Sequence, residues 1–209
     1  MNNKSIDINQ RIPLDTLYAA LEAYLNNSYS NEYVLEQLRL EYKGENRLKK
    51  ALRIVNRIIP KSPLISLIEE NNEELKFALR NKQDRSIILI SLLNAAFAFS
   101  YDVLALFGKY FSVQEIVNSE VIKKTIANTY GGNRATENGI YSVIPMFLEA
   151  GLFERPKQGF YQWQDKVTPH LSITKTLYLM SFKVNNEVNE FMDYQILNPY
   201  FLFIEMKCF

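Results

Sequence analysis

The chain has 209 residues and a formal net charge of +1, and 47% of its residues are hydrophobic. That balance is typical of a globular protein with one domain or two small ones, and it excludes a disordered chain. The near-neutral charge also excludes binding to a polyanion through overall charge, so any nucleic-acid surface must be local. The single cysteine, Cys208, excludes an intramolecular disulfide, and residues 1–15 contain no apolar signal segment. We therefore expect a cytoplasmic protein.

Helical periodicity governs the chain from residue 13 to residue 80. Pro13 suits the first turn of a helix, and apolar residues follow it at helical spacing. Gly44 and Pro60 act as stop signals farther along. The pattern predicts helices at about 14–25, 30–44, 46–59, 63–70 and 73–80. Because the connections between them are short, we expect an N-terminal helical bundle over residues 1–110.

The most apolar stretch runs from Ile87 to Gly108 and contains one charge, Asp102. It is nearly long enough to span a membrane, which needs about 20 apolar residues. However, Asn94, Ser100 and Asp102 interrupt it, and polar or ionised groups inside a span are costly. We therefore favour a helix at about 84–99, buried at the centre of the bundle, over a membrane span. A second helix near 101–110 would be capped by Ser100.

The pattern changes after residue 110. Ser112 and Glu115 fit a capping box, which predicts that a helix begins there. Further helices are expected at 119–130 and 134–150, separated by a glycine turn at 131–132, and Pro145 should kink or split the second of these. Aromatic runs on either side of a turn in 152–163 predict a β-hairpin. This order of helices, turn, helix and hairpin indicates a winged-helix-like module over residues 111–165.

The last segment, residues 166–209, is more ambiguous. Leu171 to Val184 fits either an amphipathic helix or a pair of strands, and we favour the helix. A further helix is expected from Asn186 to Leu197. The apolar run from Tyr200 to Ile204 must pack against something, either on this chain or on a partner.

Residues that could carry out chemistry are sparse. His170 is the only histidine, and it has no acid or nucleophile at a recognisable spacing. Gly131-Gly132 lacks the Lys-Ser/Thr that completes a phosphate-binding loop. We therefore expect a protein without catalytic residues, without a metal and without a cofactor.

The stretch from Lys43 to Lys61 contains seven cations and one acid, Glu45. Several of the cations recur at near-heptad spacing, which would place them on one face of a helix, and such a face can contact a phosphate backbone. The alternative is an ordinary solvated helix face, and the two interpretations remain open. The candidate DNA-binding residues here are Lys43, Arg47, Lys50, Arg53, Arg57 and Lys61.

A second candidate surface is the helix that follows the glycine turn, together with the hairpin. A helix presented in this way can enter a major groove, with residues near its N-terminus reaching bases or phosphates. We expect its exposed residues to include Arg134, Thr136, Glu137, Asn138 and Tyr141, with Arg155 and Lys157 of the hairpin beside them. Modules of this kind also bind proteins, so the sequence leaves open whether this surface contacts DNA or a protein.

The helical first half, the apolar centre and the segment Asn133–Arg155 resemble the BrxA-like small accessory proteins of bacteriophage-exclusion (BREX) systems. The phrase Phe147-Leu-Glu-Ala-Gly-Leu-Phe-Glu-Arg155 carries much of this resemblance. The resemblance covers residues 30–165 in pattern and does not extend to the tail. It implies a helical protein with a NusB-like bundle that binds double-stranded DNA without catalysis in an anti-phage defence locus.

The sequence thus predicts a mainly α protein with one small β-hairpin. Its leading expected function is non-enzymatic binding of double-stranded DNA. Other defence-system subunits are the expected protein partners, and no contact with a membrane is expected. The alternative is a protein–protein adaptor that docks through the winged helix and an exposed aromatic tail. An enzyme that uses Asp or Glu residues hidden in the fold is the least favoured alternative.

Overall fold

Ten α-helices and one small sheet account for most of residues 5–188 and 190–206, which are the residues that this computed structural model describes. The sheet is antiparallel and three-stranded. Because helices form most of the regular structure, the expectation of a mainly α protein is confirmed. The helices are α1 (Leu14–Leu25), α2 (Asn31–Arg39), α3 (Glu45–Ile58), α4 (Ile65–Glu70), α5 (Asn72–Ala78), α6 (Lys82–Ala96), α7 (Ala98–Phe111), α8 (Ser119–Tyr130), α9 (Arg134–Glu149) and α10 (Ser172–Asn186). The strands are β1 (Ile116–Asn118), β2 (Glu154–Lys157) and β3 (Phe160–Gln162).

The first five helices begin close to the positions that the periodicity predicts, and all but α2 also end close to them. The Ser30 side chain accepts a hydrogen bond from the Tyr33 N–H and so caps α2. This helix is shorter than expected, because it ends at Arg39. The side chain of Tyr42 instead reaches across to the N-terminal segment, where its hydroxyl donates to the carbonyl of Arg11.

Helix α6 lies at the centre of the molecule. It contacts α1, α3, α7, α9 and α10, and its residues from Ser86 to Ala96 are all buried. Such surroundings favour a helix that is apolar on every side. No helix in the described part of the chain is long and apolar enough to cross a membrane.

The break between α6 and α7 falls at Phe97 and not at Ser100, so the expected cap at Ser100 is wrong. The Ser100 hydroxyl instead donates to Asn94 Oδ1 at 2.6 Å, and both side chains are fully buried. Two of the polar residues that interrupt the apolar run, Asn94 and Ser100, therefore bond to one another inside the core, where an unpaired polar group would be costly.

The residues after α7 form a strand and not the helix that the Ser112–Glu115 pattern predicted. Ser112 ends α7, and its hydroxyl donates to the Lys109 carbonyl. The next residues then pair with the hairpin: β1 runs antiparallel to β3, with Val117 opposite Tyr161, and the strand order is β1-β3-β2. Local sequence favoured a helix cap, but pairing with a strand more than 40 residues away decided the conformation.

Helix α9 follows α8 after a short glycine turn. Gly131 has φ +88°, a conformation that glycine adopts without strain, and the Asn133 side chain caps α9 by accepting from the N–H groups of Ala135 and Thr136. Of the two outcomes expected for Pro145, a kink or a split, the split is wrong, because the helix continues to Glu149. The carbonyl that loses its donor is that of Tyr141, four residues earlier, and because Tyr141 is exposed, water can satisfy this carbonyl.

The tail contributes to the core. Helix α10 is present, as favoured, but the helix expected over 186–197 is mostly absent, since only Asp193–Leu197 forms a 3-10 helix. A second 3-10 helix, Pro199–Phe203, packs on α7 and buries Tyr200, whose hydroxyl accepts from Asn94 and bonds Ser181. Burial raises the pKa of the Tyr200 hydroxyl well above its ordinary value. The expectation for Cys208 lies outside the described residues.

Candidate nucleic-acid interface

One side of α3 is packed and the other is basic. Leu48, Ala51, Ile54, Val55 and Ile58 are buried, which fixes the orientation of the helix. The cations Arg47, Lys49, Lys50, Arg53 and Arg57 are all exposed on the remaining surface. We call these five residues the α3 basic face.

Two of the predicted residues do not belong to this helical face. Lys43 precedes Gly44, and Lys61 lies in the turn after α3 ends at Ile58. Both side chains are exposed, but the helical spacing that grouped them with the others does not extend to either position. The continuous cationic surface is therefore shorter than the sequence pattern suggested.

Arg57 is the most constrained member of the α3 basic face. Its Nη1 donates to Asp7 Oδ2 at 2.6 Å. Its guanidinium carbon lies 4.5 Å from the centre of the Phe97 ring, a cation–π geometry. In contrast, neither Lys50 nor Arg53 forms an ion pair with any residue that the structure describes.

The N-terminal segment, residues 5–13, connects α3 to α9. It bonds α3 through Asp7 and through the Gln10 amide, which donates to the Arg47 carbonyl. On its other side, Arg11 Nε donates to Glu149 at 2.7 Å, and Ile6 lies against Gly139. Helices α3 and α9 are therefore attached to the same segment.

The outward side of α9 is narrow. Arg134, Asn138 and Tyr141 are exposed, and the Tyr141 side chain is 61% accessible. Thr136 is 2% accessible, so the expectation that it belongs to the exposed set is wrong. Its hydroxyl donates to the Gly131 carbonyl and stabilises the turn before α9, which explains why it faces inward.

A groove of about 330 Å³ separates α9 from the hairpin. Lys123 of α8 lies 5.6 Å from the centre of the Tyr141 ring, and Arg155 of β2 lines the same groove. A hydrogen bond to Glu120 raises the pKa of Lys123, and burial lowers it by less. Lys157 is exposed at the end of β2, with its ammonium 4.5 Å from the Phe160 ring.

Several of these residues were missed by reasoning from the sequence. Asp7 and Phe97 contact Arg57 from 50 and 40 residues away, and no local pattern relates them to the basic helix. Lys123 could have been recognised, because helix 119–130 was expected directly before the glycine turn. Such a position places its outward residues beside those of α9.

The described residues contain no group of three or more His, Cys, Asp or Glu side chains that could hold a metal ion. His170 accompanies a buried carboxylate: its backbone N–H donates to Asp84, which is 0% accessible, at 3.1 Å. Asp84 also accepts from the Leu171 N–H and so holds the start of α10 against α6. The imidazole Nε2 is 3.1 Å from the Gln83 side-chain oxygen.

Comparison of the chain with protein-family models, with curated proteins and with solved structures gives no match. The functional argument therefore depends on the surfaces described above.

Proposed function

We propose that this chain is a non-enzymatic protein that binds double-stranded DNA. The observation that carries the proposal is the α3 basic face, in which five exposed cations share one helix with a single acid, Glu45. Such a surface neutralises phosphates and releases their counterions, which is the main source of affinity for DNA. The net charge of +1 makes this concentration of one sign notable, because the rest of the chain must balance it.

The second half of the molecule supports the same proposal. The order α7, β1, α8, α9, β2, β3, with β1 paired to β3, supports a winged helix-turn-helix interpretation. In that comparison α9 would be the recognition helix, with Arg134, Asn138 and Tyr141 facing outward, and the hairpin would be the wing, with Arg155 and Lys157. An asparagine amide can read an adenine edge, and arginine and lysine can contact phosphates.

We further propose that the protein is a cytoplasmic accessory component of a bacterial anti-phage defence system. This part rests on the pattern resemblance to BrxA-like proteins and on the mainly helical fold, which is the fold class expected of a NusB-like bundle. Other subunits of such a system are the protein partners that the proposal implies.

The adaptor function remains the second candidate, but its docking surface differs from the one that the sequence predicted. The aromatic residues Tyr200, Phe201 and Phe203 are buried within this chain, so they are not available to a partner. Exposed apolar residues lie just before them: Met192, Tyr194 and Leu197, the last of which is 82% accessible. Exposed apolar groups close together favour a protein contact.

The test of DNA binding compares Lys50→Glu/Arg53→Glu with the wild-type protein on a labelled duplex across a salt series. Neither side chain has an ion-pair partner among the described residues, so the fold should be kept. We expect affinity at low salt to fall roughly 100-fold and the salt slope to fall by about two, one for each lost phosphate contact.

The matched control is Lys109→Glu/Lys175→Glu, which changes the net charge equally on α7 and α10. It should bind nearly as tightly as wild type. Equal losses in both variants would mean that only overall charge matters. Absence of duplex binding by the wild-type protein at low salt would refute the proposal and favour the adaptor.

A further inference from the structure

A groove of about 220 Å³ opens between the N-terminal segment and α3. Asp7 and Asn9 line one side of it, and Lys50, Arg53 and Arg57 line the other. The three cations are spaced by three and four residues, so they project from the same side of the helix. Ile54 and Phe97, both buried, complete the lining.

The charges in this groove do not balance. Asp7 is the one carboxylate among the described residues that line it, and it faces three cations. Two positive charges are therefore in excess, although the whole chain carries only +1. Because of this excess, the groove can accept a phosphodiester, which has one negative charge, even while the Asp7 carboxylate is ionised.

Arg57 is already held in position to bind an anion. The Phe97 ring restrains the guanidinium, and the bond to Asp7 uses one of its five N–H donors. Asp7 is restrained in turn, because its Oδ1 accepts from the Ser5 hydroxyl at 3.0 Å. The carboxylate thus occupies, on the N-terminal side, a position where a phosphate oxygen could also bind Arg57.

We infer that this groove is a phosphate subsite, in which Lys50, Arg53 and Arg57 hold one backbone phosphate of DNA and Asp7 competes with that phosphate for Arg57. The inference rests on the proposed function and adds to it a defined contact and an internal competitor. It makes the N-terminal segment a determinant of DNA affinity, beyond its role in connecting α3 to α9.

The first experiment measures duplex affinity of Asp7→Asn at low salt. Asparagine keeps the size of the side chain and can still accept from Ser5, but it removes the competing charge. We expect affinity to rise about threefold, which is the size of one partly exposed ion pair. The control Asp193→Asn removes an exposed carboxylate outside the groove and should leave affinity nearly unchanged.

The second experiment separates competition for Arg57 from a general effect of charge. Asp7→Asn is combined with Arg57→Gln in a double-mutant cycle. If Asp7 acts through Arg57, the threefold gain disappears when Arg57 is absent. An equal gain in both backgrounds would overturn the competition. Melting temperatures of all four proteins show whether the N-terminal segment remains attached.

The subsite itself is tested by Arg53→Gln, since Arg53 forms no ion pair with the residues that the structure describes. We expect affinity to fall roughly tenfold and the salt slope to fall by about one. Wild-type behaviour of this variant would overturn the subsite, while salt-sensitive binding of the duplex would leave the proposed function standing. If the wild-type protein binds no duplex, the proposed function fails and the inference fails with it.

A competition assay identifies the source of the phosphate. Inorganic phosphate and ATP are added to the complex at constant ionic strength. If they displace the duplex no better than chloride does, the subsite belongs to the DNA backbone. If ATP at stoichiometric concentration displaces the duplex from wild type but not from Arg53→Gln, the groove is a site for a free nucleotide, and the inference is overturned.

Discussion

The outward sides of α3 and α9 are built in opposite ways. On α3 five of the seven exposed residues are long cations, and of these five Arg57 alone makes an ion pair with a described residue. On α9 the exposed set is smaller and mixed, with an amide, an aromatic ring, one arginine and the acid Glu137. Most of the remaining α9 residues are buried.

This difference separates two parts of DNA recognition. Flexible cations give affinity that depends on salt but barely on sequence. Amide groups on a rigidly held helix can discriminate between bases, because their hydrogen bonds are directional. If both surfaces contact one duplex, α3 would supply most of the affinity and α9 most of the discrimination between DNA sequences. The following predictions test that division, in order of decreasing effect.

The rigid attachment of α9 depends on Gly139. A Cβ there would lie 2.7 Å from the buried Phe99 ring and 3.0 Å from Ile6. We expect Gly139→Ala to lower the free energy of unfolding by about 3 kcal/mol, the upper range for overpacking. Gly132→Ala is the control, because its Cβ would meet the nearest atom at 3.9 Å. Denaturant unfolding measures both, and equal stabilities would show that α9 is not fixed at this contact.

The exposed Asn138 side chain should affect discrimination more than affinity. We expect Asn138→Ala to reduce the preference between the best duplex and a one-base-pair variant by about 1–3 kcal/mol, with little change in salt slope. The duplexes would come from selection on a random library. Arg47→Gln on α3 is the comparison and should weaken all duplexes alike. Uniform weakening by Asn138→Ala would assign α9 to phosphate contacts.

Tyr130, at the end of α8, should make stability sensitive to alkaline pH. Its hydroxyl donates to Asp102 at 2.6 Å, and burial, reinforced by this bond, raises its pKa well above the ordinary value near 10. The neutral phenol is therefore favoured in the folded state. Its contribution to the free energy of unfolding is complete below pH 10 and is lost as the pH rises from 10 towards the raised pKa of the folded state.

The measurement is unfolding at pH 8, 10 and 11 for wild type and Tyr130→Phe. The variant should have a lower free energy of unfolding than wild type at pH 8. Between pH 10 and 11 its free energy of unfolding should fall less than that of wild type, by up to about 1 kcal/mol, because the variant lacks one titrating group. Other tyrosines with raised pKa, such as Tyr101 at about 12, remain in both proteins and set the common background. Equal losses in the two proteins would mean that Tyr130 titrates normally.

The comparison between α3 and α9 also shows how far the sequence could predict this site. The density of cations in residues 43–61 was visible directly, because a run of one sign needs no tertiary information. Helical spacing correctly placed Arg47, Lys50 and Arg57 away from Leu48 and Val55. It overextended to Lys43 and Lys61, because the ends of α3 are set by Gly44 and by the turn after Ile58. On α9 the outward Asn138 and Tyr141 followed the pattern, whereas Thr136 turned inward to bond the glycine turn.

By itself, the sequence determined that the protein is mainly helical, that α6 is central and that α8 and α9 flank a glycine turn. These features follow from periodicity and from glycine and asparagine chemistry, which act over a few residues. Only the tertiary structure decided that residues 116–118 form a strand, that Tyr200 belongs to the core and that Asp7 pairs with Arg57. Each of these depends on groups that are distant in the chain, from 19 residues between Ser181 and Tyr200 to 106 between Asn94 and Tyr200. The free energy of such contacts exists only once the helices have packed.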